Sequence, residues 1–387
     1  MQASARDVVL LYGPPWDGAA QFSKHHLARY LAGRGYRVLY VEAPLGPLTV
    51  ASRRASALPE LRSCFRLPRP VCPGVWARRY FNPIPYHDVT PLTRSRTANR
   101  LGQRLLAPSL RRDLGRLQFN QPIVIAGLPQ AVDLLPGLPR RALVYHCADD
   151  YVHVKGFPAT LPDLESELCR QADLVVTTAE TLRQARAPLN RQTYWIPNGV
   201  DLDHFTRPAL PAADVGSGGR PVVGFVGGIA QWVDVPLVAT LARQRPDWLL
   251  VLVGPVSTDV SPLDGLANVR LLGPRPYQDV PRYLAAMDVA LIPFVHDAVT
   301  YYADPIKAYE YLAAGVPVVA TDLPALRRLG ESIRLADSAE AFLAQVDLAL
   351  AEGRTAGVDA RQAEARQHSW ARRFATFERL LDENLAR

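Results

Sequence analysis

One stretch combines residue types that could hold a phosphate and a diol. Residues 301–321 read YYADPIKAYEYLAAGVPVVAT, in which a loop enters a helix near Pro305 and the helix stops at Gly315 before an apolar strand. Lys307 and Glu310, three apart, project from one side of that helix. Free N–H groups and the dipole at a helix start favour phosphate, and Lys307 adds a full charge there. Glu310, one turn deeper, is placed to accept hydrogen bonds from a diol such as a ribose. The plainer alternative is a surface ion pair. A second candidate is His146-Cys-Ala-Asp-Asp-Tyr151, at the end of the strand reading Ala142 to Tyr145. Residues at the carboxyl end of a parallel strand face a ligand crevice, so His146, Asp149 or Asp150 could take a proton from an acceptor hydroxyl; an Asp there could equally cap the next helix. The loop Gly13-Pro-Pro-Trp-Asp-Gly18 lacks the Lys-Ser/Thr of a P-loop and the spacing of a dinucleotide fingerprint. It reads as an acceptor-side loop containing Gly13, Trp16 and Asp17, with Trp16 either stacking on sugar or packing inward. Asp201-Leu-Asp203 imitates a metal-binding DxD but lies away from a nucleotide strand, and no metal is assigned to it.

These residues need a scaffold, and short β-branched runs alternating with helical patterns supply one: parallel sheets with helices on both faces. The strand Val8 to Tyr12, a helix with Phe22, Leu27, Tyr30 and Leu31 on one face, and the strand Val38 to Val41 make a first βαβ unit. Further strands are expected at 123–125, 142–145, 174–177 and 193–196, then at 222–226, 249–253, 269–272, 289–292 and 318–321. Residues 206–220, rich in Pro, Gly and Ala, have linker chemistry. The expected domains are 1–205, completed by an amphipathic helix at 370–387, and 221–369. Two doubly wound domains joined in this way put the ligand in a crevice between them.

The chain has 387 residues, 48% hydrophobic and 21% charged, which excludes a disordered or fibrous protein. Its 44 basic residues include only three lysines, Lys24, Lys155 and Lys307. Where arginine serves as the generic cation, each lysine is a candidate for a specific task; Lys24 and Lys155 stay unassigned. Residues 48–118 hold 14 Arg against Glu60, Asp88 and Asp113, while the remainder is net acidic. With Trp76, Tyr80 and Phe81 among those arginines and no nucleic-acid-binding fold, the stretch reads as an element for an anionic membrane surface or a polyprenyl-phosphate acceptor, or else as solvated arginine. No nucleic acid is expected. Four cysteines without CxxC spacing point to free thiols in a reducing compartment. No apolar window is long enough to span a bilayer. The expected place is therefore the cytoplasm, with peripheral contact at the inner face of the plasma membrane.

Four segments carry a family resemblance. Residues 304–321 resemble the donor-binding motif of GT-B glycosyltransferases of the family 4 group (group 1). Ile196-Pro-Asn-Gly-Val-Asp-Leu-Asp-His-Phe205, preceded by Ala172-Asp-Leu-Val-Val-Thr-Thr178, resembles the segment closing that family's first domain. Residues 272–284 with 287–294 are a third match, and Ser369-Trp370 onward is similar to its C-terminal crossover helix. The resemblance implies a GT-B fold and a metal-independent glycosyltransferase without cofactor, hexosyl- or glycuronosyl-. It would move sugar from a nucleotide sugar, with UDP as the expected carrier, to a lipid-linked or cell-surface glycan. It implies donor binding by Gly227, Gly228, Arg275, Tyr277, Tyr302, Asp304, Lys307 and Glu310. The sequence departs from the pattern at Tyr302, where a carboxylate is usual, and at Gly228 and Val233, where Arg and Lys usually meet the diphosphate. Those losses throw weight on Lys307 and Arg275. This variant resembles teichuronic-acid and xanthan glucuronosyltransferases, a likeness that implies Asp149 as the base before Asp150 and His146. The alternatives are a catalytically silent nucleotide-sugar-binding protein, or an epimerase or phosphorylase on the same fold.

Overall fold

The computed structural model describes residues 6–385, and for 51–57 and 385 the backbone only. Two compact units divide at Ile196/Pro197, and Phe374 onward belongs with the first.

The first unit is built on an eight-stranded sheet: β1 (Asp7–Gly13), β2 (Arg37–Glu42), β3 (Arg69–Cys72), β4 (Val75–Arg78), β5 (Ile123–Ala126), β6 (Ala142–Cys147), β7 (Leu174–Thr177) and β8 (Thr193–Trp195). The spatial order is β3-β4-β2-β1-β5-β6-β7-β8, parallel except for β3, which runs antiparallel to β4. β1 is buried over all seven residues, as expected of a strand covered on both faces, and pairs Val8 with Val38 and with Ile123. The order reverses between β1 and β5, which makes the carboxyl ends of those strands the topological switch point.

The basic stretch 48–118 is woven into this unit. It contributes the helix Pro47–Ser63, the hairpin β3-β4 that extends the sheet beyond β2, and the helix Arg96–Arg116. That last helix buries Leu106, Leu110 and Leu114, and its Asp113 accepts from Arg78 and from the Tyr80 hydroxyl, both at 2.9 Å. The alternative reading of this stretch as solvated arginine is corrected in part. Arg79 pairs with Glu60, Arg94 with Asp88, and Arg96 with Asp133 and Glu167, so carboxylates from inside and outside the stretch neutralise much of its charge.

The second unit carries β9 (Val222–Val226), β10 (Leu249–Val253), β11 (Val269–Gly273), β12 (Val289–Ile292), β13 (Val318–Thr321) and β14 (Arg334–Ala336), all parallel, in the order β11-β10-β9-β12-β13-β14. Here the order reverses between β9 and β12. Residues 206–220, expected as a linker, are instead docked into this unit: Ala212 and Val215 are buried in its core, and the Ala212 amide donates to the Arg282 carbonyl at 3.0 Å. The division falls earlier because 197–205 already belongs here, with Val200 and Trp370 exchanging backbone bonds with His368 and Val200. The final helix, Trp370–Leu385, starts in this unit. From Phe374 it lies in the first unit, where Arg34 donates to Glu378 at 3.0 Å and the Tyr30 and Phe374 rings meet at 5.7 Å.

Candidate functional site

In the second unit the switch point is lined by Gly227 and Gly228, which follow β9. Gly254, after β10, has φ 153°, and a Cβ there would lie 1.8 Å from the Gly227 carbonyl oxygen; only glycine lets these two loops touch. A Cβ on Gly227 would meet the Lys307 Cε at 3.3 Å, so the lysine stem lies over this loop. Lys307 stands in the first turn of the helix Ile306–Ala313, whose start carries no side-chain cap, and donates to Glu310 at 2.9 Å. Glu310 is buried and Lys307 half-buried. Tyr311 fixes the helix to the sheet, its hydroxyl accepting from the Val226 amide at 2.9 Å. The structure therefore brings Gly227, Gly228, Lys307 and Glu310 together at one switch point. Trp232, a residue the sequence left unmarked, closes the Gly228 turn by donating to its carbonyl at 3.1 Å.

The other expected donor residues have other partners. Asp304 is buried and accepts from the Asn198 amide at 2.7 Å, the Tyr309 hydroxyl at 2.6 Å and Arg328 at 3.1 Å. Burial pushes its carboxyl up, against the pull of Arg328. It is a structural tie within the unit rather than a ligand contact, and Arg328 had no signal in the sequence. Arg275 donates to Asp214 and to the Tyr283 hydroxyl, which uses its charge at the end of β11. Tyr277 stacks on His204 with centroids 4.4 Å apart. Tyr302 is half-buried, edge-on to Tyr301 at 5.1 Å. Val233 is in the core, so no cation approaches from that position.

In the first unit β6 delivers His146, Asp149 and Asp150, and burial separates them. Asp149 is exposed, whereas Asp150 is 2% exposed and paired with Arg186 at 2.8 Å and with His153. Asp150 is thereby corrected from candidate base to structural anion. His146 is 4% exposed, its Nδ1 lacks a hydrogen-bond partner, and burial, with Lys24 beside it, pushes its pKa down to about 3. It is neutral at physiological pH and weakly basic.

On the acceptor side, Trp16 is turned inward at 7% exposure. Its ring meets Tyr40 at 5.1 Å and His25 at 5.5 Å, and Arg29 covers its face at 4.9 Å, so the expected sugar-stacking surface is taken. Gly13 is buried, and a Cβ there would lie 2.2 Å from the Tyr40 hydroxyl, so a side chain would displace the Tyr40 ring. Asp17 is exposed, pairs with Arg69, and borders a groove of about 540 Å³ shared with Glu42, Glu60, Arg66 and Arg79. Asp201 caps the helix Leu202–Phe205, accepting from the His204 amide. Among the described residues no three His, Cys, Asp or Glu side chains gather as a metal site.

Residues 220–352 match the family model described as glycosyl transferases group 1. This part of the chain is a group 1 glycosyl transferase domain. Over 206 residues the chain is 28% identical to TuaH of Bacillus subtilis (strain 168), named for a glycosyltransferase of teichuronic acid biosynthesis; the match covers 48% of this chain and 52%, about half, of TuaH. Sucrose-phosphate synthase from Thermosynechococcus elongatus superposes with a TM-score of 0.71 at 18% identity, over 98% of this chain and 100% of that one. Anabaena HepE in complex with UDP-glucose gives 0.65 at 17%, over 97% and 99%. The fold around the group 1 domain is thus GT-B, and the loop and helix built from Gly227, Lys307 and Glu310 lie inside that domain.

Proposed function

We propose that the chain is a glycosyltransferase that moves a hexosyl or glycuronosyl group from a nucleotide diphosphate sugar, with UDP as carrier, to a hydroxyl of a lipid-linked or cell-surface glycan. The observation that carries this reading is Lys307 lying over Gly227 at an uncapped helix start with Glu310 one turn below. That arrangement offers a cation and free amides to a diphosphate and a carboxylate to a ribose. The donor is bound by the second unit and the acceptor by the first, in the groove beside Asp17. Asp149 takes the proton of the acceptor hydroxyl. The acceptor oxygen bonds to the anomeric carbon, the bond from that carbon to the diphosphate oxygen breaks, and its electron pair leaves with the diphosphate, whose charge Lys307 meets. Exposure favours Asp149 over its buried neighbour Asp150. The HepE complex with UDP-glucose and the naming of TuaH support the donor and glycan classes. We also propose that no metal takes part, since Asp201 is engaged as a helix cap.

Contact with an anionic membrane belongs to the same reading. No described helix is long and apolar enough to cross a membrane. Just after the helix Pro47–Ser63, however, Phe65 is 74% exposed and Leu67 61%, beside exposed Arg62 and Arg66. Apolar side chains flanked by arginine suit the headgroup boundary of an anionic leaflet.

A calorimetric panel of UDP, GDP and ADP with wild type, Lys307→Ala and Glu310→Ala tests the donor site: UDP should bind wild type, and unchanged binding in both variants would sink the assignment. Hydrolysis of UDP-glucose or UDP-glucuronate by wild type, insensitive to EDTA and lost in Asp149→Ala, separates an enzyme from a silent binder. Flotation with phosphatidylglycerol vesicles tests the membrane contact; recovery that Phe65→Ser plus Leu67→Ser leaves unchanged would refute it.

A further inference from the structure

Trp232 stands at the donor site with no task in the chemistry above. Gly227 and Gly228 follow β9 and are half-buried at the β9/β12 switch point. A Cβ on Gly227 would meet the Phe225 ring at 2.8 Å and the Lys307 Cε at 3.3 Å. A Cβ on Gly228 would have the Trp232 Cζ2 at 3.6 Å and, its chain neighbours aside, no other described atom within 4 Å. The space over Gly228 is therefore open except where the indole stands. That indole is held at both ends: its Nε1 donates to the Gly228 carbonyl at 3.1 Å, and the Trp232 carbonyl accepts from the Val295 amide at 2.9 Å. The residues after it are fixed as well. Val233 bridges to Phe294, and Asp234 donates its amide to the Pro293 carbonyl at 2.8 Å while its carboxylate caps the helix Val235–Gln244. With its N–H spent on a backbone carbonyl, the half-buried indole has only an apolar ring left to offer.

These contacts set four groups in a row. Glu310 accepts from Lys307 at 2.9 Å, the Lys307 stem lies against Gly227, Gly228 follows in the chain, and the indole stands beside Gly228. With the ribose at Glu310 and the diphosphate at Lys307, the next group of a nucleotide sugar is the sugar itself, and it falls in the open space over Gly228. We propose that Trp232 is a specificity-determining residue of the donor site: its indole forms the wall on which the C–H face of the transferred pyranose stacks. This role rests on the donor assignment of Lys307 and Glu310 given above and supplies a contact for the part of the donor which that assignment leaves unheld. A pyranose carries its hydroxyls around a rim and presents C–H groups on its faces, so an aromatic ring buries apolar surface there without stranding a hydroxyl. Any side chain at position 228 would fill the same space, which gives the glycine and the indole one purpose.

Calorimetry with UDP, UDP-glucose, UDP-galactose and UDP-glucuronate on wild type, Trp232→Phe and Trp232→Ala tests this, read as the ratio of the UDP-sugar Kd to the UDP Kd. Trp232→Ala should weaken the UDP-sugars that wild type binds about 10-fold while changing UDP by no more than about threefold. Trp232→Phe keeps a ring but cannot donate to Gly228, and it should recover most of that loss. Equal weakening of UDP and UDP-sugar in Trp232→Ala would mean that the indole only shapes the Gly228 turn, and overturns the proposal. So does a wild type that binds UDP but none of the three UDP-sugars. The fluorescence that wild type shows beyond Trp232→Phe is a second measure: it should change on addition of a UDP-sugar that binds and not on addition of UDP, and a difference spectrum indifferent to the sugar refutes the stacking. A wild type that binds no UDP refutes the donor site itself, and the role of Trp232 with it.

Discussion

Arg186 donates to Asp150 at 2.8 Å and, from the same nitrogen, to Glu165 at 2.9 Å. One cation therefore holds two buried carboxylates directly behind the loop that exposes Asp149. Removing it would strand both, and breaking a buried pair in this way costs about 3–5 kcal/mol. Arg186→Met should lose stability of that order in urea unfolding. Asp149→Asn, one residue from Asp150 but exposed, should cost clearly less than Arg186→Met. Comparable losses in the two variants would contradict the division of labour between Asp149 and Asp150.

Lys307 should be worth more to a ligand than to the fold. A charge-assisted bond to phosphate is worth about 1.5–3 kcal/mol, so Lys307→Met should raise the calorimetric Kd for UDP by about 10- to 100-fold. Binding enthalpies alike in wild type and variant would place the diphosphate elsewhere.

The meeting of Gly227 and Gly254 leaves no space for a methyl group. Gly254→Ala forces the backbone of one loop away from the other and should cost about 1–3 kcal/mol, with UDP binding weakened in step. Gly218→Ala is the control: it also has positive φ but nothing within 4 Å of the added Cβ. It should lose only the backbone share and keep UDP affinity, as read from thermal midpoints with and without UDP.

How much of this was legible in the sequence depended on the range of the interaction. Every strand built from an apolar run, such as Val8 to Tyr12 or Leu249 to Val253, was readable, because burial on both faces writes itself into consecutive residues. β3 and β4 were not. Arg69-Pro-Val-Cys72 and Val75-Trp-Ala-Arg78 carry arginine and proline, and the arginine is tolerated inside only because Asp113 arrives from a helix far along the chain. The same holds at the site. Lys307 and Glu310 lie on one helix and could be paired by spacing, whereas Asp149 was placed before Asp150 by family resemblance alone, and the partner that occupies Asp150, Arg186, lies 36 residues away where spacing gives no signal. Trp16 looked like a sugar platform because a motif shows a side chain's type but not which way it faces.

Acid should destabilise the first unit in a particular window. Burial pushes His146 down to about 3 and His25 to about 4, both below the ordinary value of 6.5. The stability they contribute is complete above pH 6.5 and is lost as pH falls toward those lowered values, because the unfolded chain binds protons that the folded chain refuses. At pH 5 the loss is about 2 kcal/mol per histidine. Thermal midpoints between pH 7 and pH 4.5 should fall, and His146→Asn should flatten part of that slope; a slope unchanged by the substitution would mean that His146 already carries a proton when folded.

The helix Trp370–Leu385 gives the first unit a late arrival. Phe374, Phe377, Leu380 and Leu381 are buried, yet they leave the ribosome only after the whole second unit has been made. During synthesis the first sheet therefore waits, with one apolar flank uncovered, for the helix Trp370–Leu385. Its completion is a long-range closure that depends on residues from Phe374 onward. Chains cut short before Phe374 should present that flank to chaperones and proteases, so that premature termination is recognised even when all fourteen strands of the described residues have been translated.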